Sequence, residues 1–148
     1  MKVSSKGRYA LASMILLAQN TADGAPLTVI GISGQLGISK IYLEQVFSLL
    51  RKGGLVTSIK GSQGGYQLSR PASEISAADV LSVTETSIFE DVERTAAEAH
   101  PGIERALRDT LWDPANKVFK EIFERMPLSD LAEEALRKSA LDAYMYCI

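Results

Sequence analysis

The chain has 148 residues, a formal charge of −2, 46% hydrophobic residues and a single cysteine. That length makes one domain, or a small domain with a pairing element, and the apolar share is enough for a core. No apolar run reaches transmembrane length and no signal peptide opens the chain, while the lone Cys147 excludes an internal disulfide framework; all three point to the cytoplasm.

The small net charge hides a division. Met1 to Pro71 carries eight Lys and Arg against Asp23 and Glu44, a net +6, whereas Ala72 to Ile148 carries eight against sixteen acids, a net −8. A basic first half suits a polyanion such as double-stranded DNA and leaves the acidic half for another task.

Ser4 or Ser5 is placed to cap a first helix, with Lys6 and Arg8 in its first turn. Cations there oppose the helix dipole unless an anion sits beside them, as a DNA phosphate would. The helix runs to about Asn20, and Ala10, Leu11, Met14, Ile15, Leu17 and Ala18 leave it little polar face, so burial is expected. Ala22 to Pro26 reads as a loop. Thr28 caps a short second helix ending at Gly37, within which Gly31 and Gly34 suggest close packing, at roughly 1 kcal/mol each relative to Ala.

Ser39 caps a third helix from Lys40 to about Lys52. Leu43, Val46, Phe47 and Leu50 recur at helical spacing and face the core. Ile41, Gln45, Ser48 and Lys52 lie opposite, flanked by Tyr42 and Glu44. Gln can bond adenine, Glu can accept from cytosine N4 and an apolar group can meet a thymine methyl, so this face is the candidate reader of base edges. Gly53-Gly54 ends the helix. Leu55 to Ile59 and Tyr66 to Ser69 read as two strands joined by Lys60-Gly61-Ser62-Gln63-Gly64-Gly65. That tip suits a minor groove or a phosphate backbone. It does not match GxxxxGK[ST], and it lacks the strand-loop-helix order of a nucleotide loop.

Thr28 to Arg70 therefore spells a helix, a turn, a helix and a hairpin: a winged helix-turn-helix. The fold class is mainly α with a small β-hairpin. Pro71 to Glu74 marks a boundary, giving a DNA-binding domain over 1–75 and a dimerisation and regulatory region over 76–148. In the second region Ser76 caps a helix from Ala77 to about Glu85, with Asp79 at its third position. Ser87 to Pro101 reads as a loose or partly helical connector. Ile103 to Met126 is helical, with Asp113-Pro114 either starting a new helix or kinking a long one. Ser129 is expected to cap a last helix through about Ala143. A long amphipathic helix after a small DNA-binding domain suits a homodimer.

No catalytic arrangement is present. His100, the one histidine, has no companions at metal spacing, and no nucleophile has a base. Trp112 reads as a helix-packing residue. Cys147 is either a packed tail residue or an exposed thiol open to oxidation.

SSKGRYAL at Ser4–Leu11, GISKIYLEQVFSLLRKGGLV at Gly37–Val56 and KGSQGGYQL at Lys60–Leu68 together resemble the Rrf-two family of bacterial transcription regulators. TLW at Thr110–Trp112 and PLSDLAEEA at Pro127–Ala135 extend the likeness through the second half. The resemblance implies a dimeric winged-helix protein binding an imperfect palindrome. It places Ser5, Lys6, Arg8 and Tyr9 at the DNA backbone, with Thr28 and Lys40 joining the interface. Ser39, Ile41, Tyr42, Glu44 and Gln45 fall on the reading helix, and Lys60, Gly61, Gly64 and Gly65 on the wing. The wing departs from many relatives, which have Arg at Lys60 and Pro-Gly at Ser62-Gln63. Cluster-binding relatives carry three cysteines in the segment matching Ile88–Arg105, which has none here, so no iron–sulfur cofactor is expected.

The tail AYMYCI, Ala143–Ile148, is similar to that of the cluster-free family branch that represses cysteine metabolism together with O-acetylserine (thiol)lyase. This implies a partner-binding end at Tyr146, Cys147 and Ile148, whose apolar side chain and carboxylate suit an amino-acid pocket. Two other readings remain. One is the same dimer controlled by a small molecule or by oxidation of Cys147. The other is an adaptor that binds a metabolic enzyme without binding DNA.

Overall fold

The structure is a computed structural model and describes residues 1–20 and 24–147. Ala22 and Asp23 of the expected first loop, and Ile148 at the tail, lie outside the described residues. The hub is α1 (Ser5–Asn20), which packs against α2 (Val29–Leu36), α3 (Lys40–Lys52), β2 (Gly65–Leu68), α4 (Ala77–Thr84) and α7 (Leu128–Tyr146). Its Ala10, Met14 and Leu17 are buried together with Ile32, Leu43, Val46, Phe47, Leu50, Ile75, Val80 and Leu128. The expected core of the third helix is thus the observed one. The first helix is less enclosed than its composition suggests, since Leu11, Ile15 and Ala18 are only half-buried.

The caps of α2 and α3 hold as the sequence indicates. Thr28 Oγ1 accepts from Gly31 N–H at 3.0 Å, and Ser39 Oγ accepts from Tyr42 N–H at 3.3 Å. Gly37 turns the chain between α2 and α3 with φ +66°, a conformation that favours glycine. Ser33 Oγ donates to Ile38 C=O at 2.6 Å and fixes that turn. A side chain at Gly34, by contrast, would meet nothing within 4 Å, so the expected close packing there is absent.

The wing pairs β1 (Val56–Ile59) with β2 antiparallel, in the register Val56 to Leu68, Thr57 to Gln67, Ser58 to Tyr66 and Ile59 to Gly65. Leu27 adds a third edge, exchanging backbone hydrogen bonds with Tyr66 at 2.9 and 2.8 Å. In β1 only Val56 is buried; the remaining three residues project into solvent rather than alternating.

In the second half, Ser76 and Asp79 form a reciprocal capping box on α4, and Arg70 reaches Asp79 at 3.3 Å. α5 (Pro101–Leu107) continues through a π turn (Arg108–Trp112) into α6 (Asp113–Glu124), and the backbone stays helical at both junctions. Of the two options for Asp113-Pro114, the new cap is not observed: Asp113 is itself helical, and one long helix runs on through the proline. Asp113 N–H donates to Arg108 C=O, five residues back. The widened turn accommodates a proline that has no N–H to offer.

Ser129 does not cap the last helix. α7 begins earlier, after Pro127, and runs further, to Tyr146. Its start is set from outside: Leu128 N–H donates to Ile75 C=O at 2.8 Å, Ala77 N–H donates to Met126 C=O at 2.8 Å, and Leu128 is fully buried. The connector after α4 is also anchored, because Phe89 packs on Phe119 and Phe123 of α6 at ring distances of 6.0 and 5.8 Å.

Candidate nucleic-acid interface

Helix α3 has two unlike faces. Leu43, Val46, Phe47 and Leu50 are fully buried. Phe47 also stacks on Tyr66 of β2 at 4.6 Å, which ties the helix to the wing. On the other side Ile41 is 72% exposed, and Lys40, Glu44 and Gln45 are exposed. The aliphatic side chain of Ile41 is available to meet an apolar group such as a thymine methyl. Lys40 Nζ lies 3.5 Å from Glu44 Oε1, a surface pair worth at most about 1 kcal/mol that another anion can displace. Gln45 has no such partner among the described residues and is free to bond a base.

Tyr42 is half-buried rather than outward. It packs edge-on against Tyr9 of α1 with ring centroids 5.1 Å apart, so it links the start of α1 to the start of α3. This contact joins the end of α1 that carries Ser5, Lys6 and Arg8 to the end of α3 that carries Ser39 and Lys40. Lys6 and Arg8 are exposed, and Arg8 Nη2 donates to Ser5 Oγ at 3.0 Å.

The first turn of α1 decides between the two expected caps. Ser4, not Ser5, is the cap: its Oγ accepts from Gly7 N–H at 3.2 Å. Ser4 N–H and Oγ–H then donate to Glu85 Oε1 at 2.9 and 2.6 Å. A carboxylate from the end of α4 therefore already occupies the anion-favouring end of α1. Gly7 permits this approach, because a Cβ there would strike Glu85 and Val3. Any phosphate near this turn must be met by the Lys6 and Arg8 side chains.

On the wing, Lys60 and Gly61 are exposed at the tip. Gly64 and Gly65 are half-buried and serve the hairpin itself. A Cβ on Gly64 would strike Ile59 C=O, and one on Gly65 would strike Leu27 C=O. Ile30 on α2 is 67% exposed beside its cap and escaped the sequence reading, because a lone apolar residue in a short helix gives no periodic signal. At the far end of the chain Tyr146 and Cys147 are exposed.

A solvent-facing helix set by a glycine turn, backed by a core and flanked by a hairpin, defines a winged helix-turn-helix DNA-binding protein. Residues 3–134 match the Rrf-two (Rrf2) family model, described as an iron-dependent transcriptional regulator. The chain is 38% identical over 134 residues to the HTH-type transcriptional regulator IscR of Yersinia enterocolitica, covering 88% of this chain and 79% of that protein. Among solved structures it is similar to CymR (YrzC), the global cysteine regulator of B. subtilis. The TM-score is 0.77 with 36% identity, over 90% of this chain and 98% of that one. It is also similar to T. potens IscR, with a TM-score of 0.71 and 33% identity over 91% of this chain and 88% of that one. The chain belongs to the Rrf2 family: it is a DNA-binding transcriptional regulator and not an enzyme.

The residues present do not fit an iron–sulfur cluster. Cys147 is the sole cysteine in the sequence, and among the described residues no three His, Cys, Asp or Glu side chains gather as a metal site. Within the matching segment the one buried carboxylate among the described residues, Glu104, is already bound by protein donors. Its Oε2 accepts from Thr95 and Ala96 N–H, each at 3.0 Å. The Ala96 N–H above all, then that of Thr95, hold its carboxyl below the usual value, Arg108 adding and burial opposing.

Proposed function

We propose that the chain is a homodimeric repressor of cysteine and sulfur metabolism genes that binds an imperfect palindrome. The observation that carries the DNA reading is the outward face of α3, with an exposed Ile41 and an unpartnered Gln45 above a closed core. Ser39, Ile41, Glu44 and Gln45 read the major groove. Ser5, Lys6, Arg8, Tyr9, Thr28 and Lys40 hold the backbone, and Lys60 with Gly61 reaches it from the wing. Residues 1–75 carry these contacts and residues 76–148 pair two copies. The exposed Ile103, Val118, Ile122, Leu136 and Leu141 on α5 to α7 support that division of labour.

The cysteine-metabolism assignment is supported by the likeness to the B. subtilis cysteine regulator and by a donor set that cannot build a cluster. The exposed end of α7 is the proposed docking point for O-acetylserine (thiol)lyase, the cysteine synthase, through Tyr146, Cys147 and Ile148.

The test separates reading from holding. Gln45→Ala lowers operator affinity by about 1–3 kcal/mol and leaves random DNA unaffected. Lys6→Ala weakens both alike and flattens the salt dependence by about one ion. Equal losses on both DNAs for both variants would overturn the assignment. Removing Ile148 abolishes synthase binding while the dimer persists; an unchanged titration with the synthase would remove that partner.

A further inference from the structure

Residues 94–99 fold back over the first turns of α5 and leave a cavity of about 240 Å³, lined by Arg94, Ala97, Pro101, Glu104, Arg105 and Arg108. Three arginines and one carboxylate line it, and only Arg108 lies against the carboxylate. That carboxylate is committed, because Glu104 is buried, accepts from two backbone N–H groups and lies 3.5 Å from Arg108. Arg94 and Arg105 have no ion pair or side-chain hydrogen bond among the described residues. The cavity is an open, positively charged recess supplied with two uncommitted forks of N–H donors.

We propose that this cavity binds a small metabolite bearing two or more anionic oxygens, and that it is an effector site of the regulator. Guanidinium forks match the paired oxygens of phosphate and carboxylate. The volume falls just under the ~300–1,000 Å³ of sites for drug-sized ligands, so it suits a metabolite. The committed Glu104 fixes the loop against the helix and so preorganises the wall rather than competing for the ligand. The position gives the site leverage. Arg108 is the first residue of the π turn and Trp112 the last. An anion drawn between Arg105 and Arg108 bears directly on the turn that joins α5 to α6.

Trp112 is the only tryptophan in the chain and reports on this turn. The full-length protein is titrated with inorganic phosphate, citrate and chloride at constant ionic strength, following Trp112 fluorescence and calorimetric heat. A saturable response to phosphate or citrate, but not to chloride, is expected, and the anion that saturates identifies the oxygen source. Arg94→Gln with Arg105→Gln weakens it at least tenfold. Arg105→Lys alone weakens it less, because a point charge replaces a fork. Lys117→Gln, at an exposed cation on α6 that does not line the cavity, leaves it unchanged. Circular dichroism confirms that each variant is folded. A response that never saturates with either anion, or one unchanged in the double variant, overturns the proposal. The readout involves no DNA, so its failure is distinct from failure of the repressor reading.

Discussion

Glu85→Gln should move stability and DNA affinity in opposite directions. In the native chain one carboxylate oxygen accepts from both Ser4 N–H and Ser4 Oγ–H, at the N-terminus of α1. Gln keeps an oxygen in the same place but removes the charge. A charge-assisted hydrogen bond exceeds a neutral one by about 1 kcal/mol, and a carboxylate at a helix N-terminus adds about 0.3–1 kcal/mol. Because Ser4 is exposed, water compensates for part of this, and the net loss should be about 1 kcal/mol. For DNA the sign reverses. A negative charge ~7 Å from a phosphate repels it by about 0.6 kcal/mol in water. Removing the charge should tighten binding two- to threefold, less at higher salt. The gain should be equal on operator and scrambled duplex. Fluorescence anisotropy on both duplexes at two salt concentrations, alongside urea unfolding, measures all three quantities. Reduced stability with unchanged DNA affinity would show that the start of α1 does not face the phosphate backbone. A gain confined to the operator would make the carboxylate a specificity group instead.

Gly34→Ala should raise stability by about 0.5–1 kcal/mol, since the position is helical and a Cβ there meets open space; a lower urea midpoint would contradict this. Glu134 provides a pH signature on α7. Hydrogen bonds from Arg137 first, then Lys138, lower its pKa from 4.5 to about 2. Its contribution to stability is therefore complete above pH 4.5 and is lost as pH falls towards 2. A carboxyl-carbon NMR titration should place its midpoint well below 4.5, and Arg137→Gln should raise it. A wild-type midpoint at the ordinary value would refute the pairing.

Whatever depended on neighbours in sequence was legible before the structure. The four core positions of α3 repeat at 3.6-residue spacing, and Thr28, Ser39 and Ser76 each precede an apolar run as caps do. The same periodicity exposed Ile41 and Gln45. What escaped was long-range. Ser4 and Glu85 are 81 residues apart, so nothing local indicated that a carboxylate would fill the end of α1. Glu104 looked like one acid among many until the loop of residues 94–99 folded onto it. Ser129 resembled a cap, but the backbone pairing of Leu128 with Ile75 set the helix start instead. Pro114 left two options because its missing N–H says only that a bond is lost, not how the helix adapts.

The π turn also changes which residues share a side of the long rod. Each residue of an α-helix advances the face by about 100°. In an uninterrupted helix Ile103 and Ile122 would point about 100° apart. The turn absorbs one extra residue, and that removes the offset, so the two exposed isoleucines lie in a single line along the rod. The insertion acts as a phase correction between the two ends of the surface proposed to pair. Deleting one residue within Arg108–Trp112 would leave the line straight. Forcing the turn into a regular α-helix at full length would twist the two ends out of register.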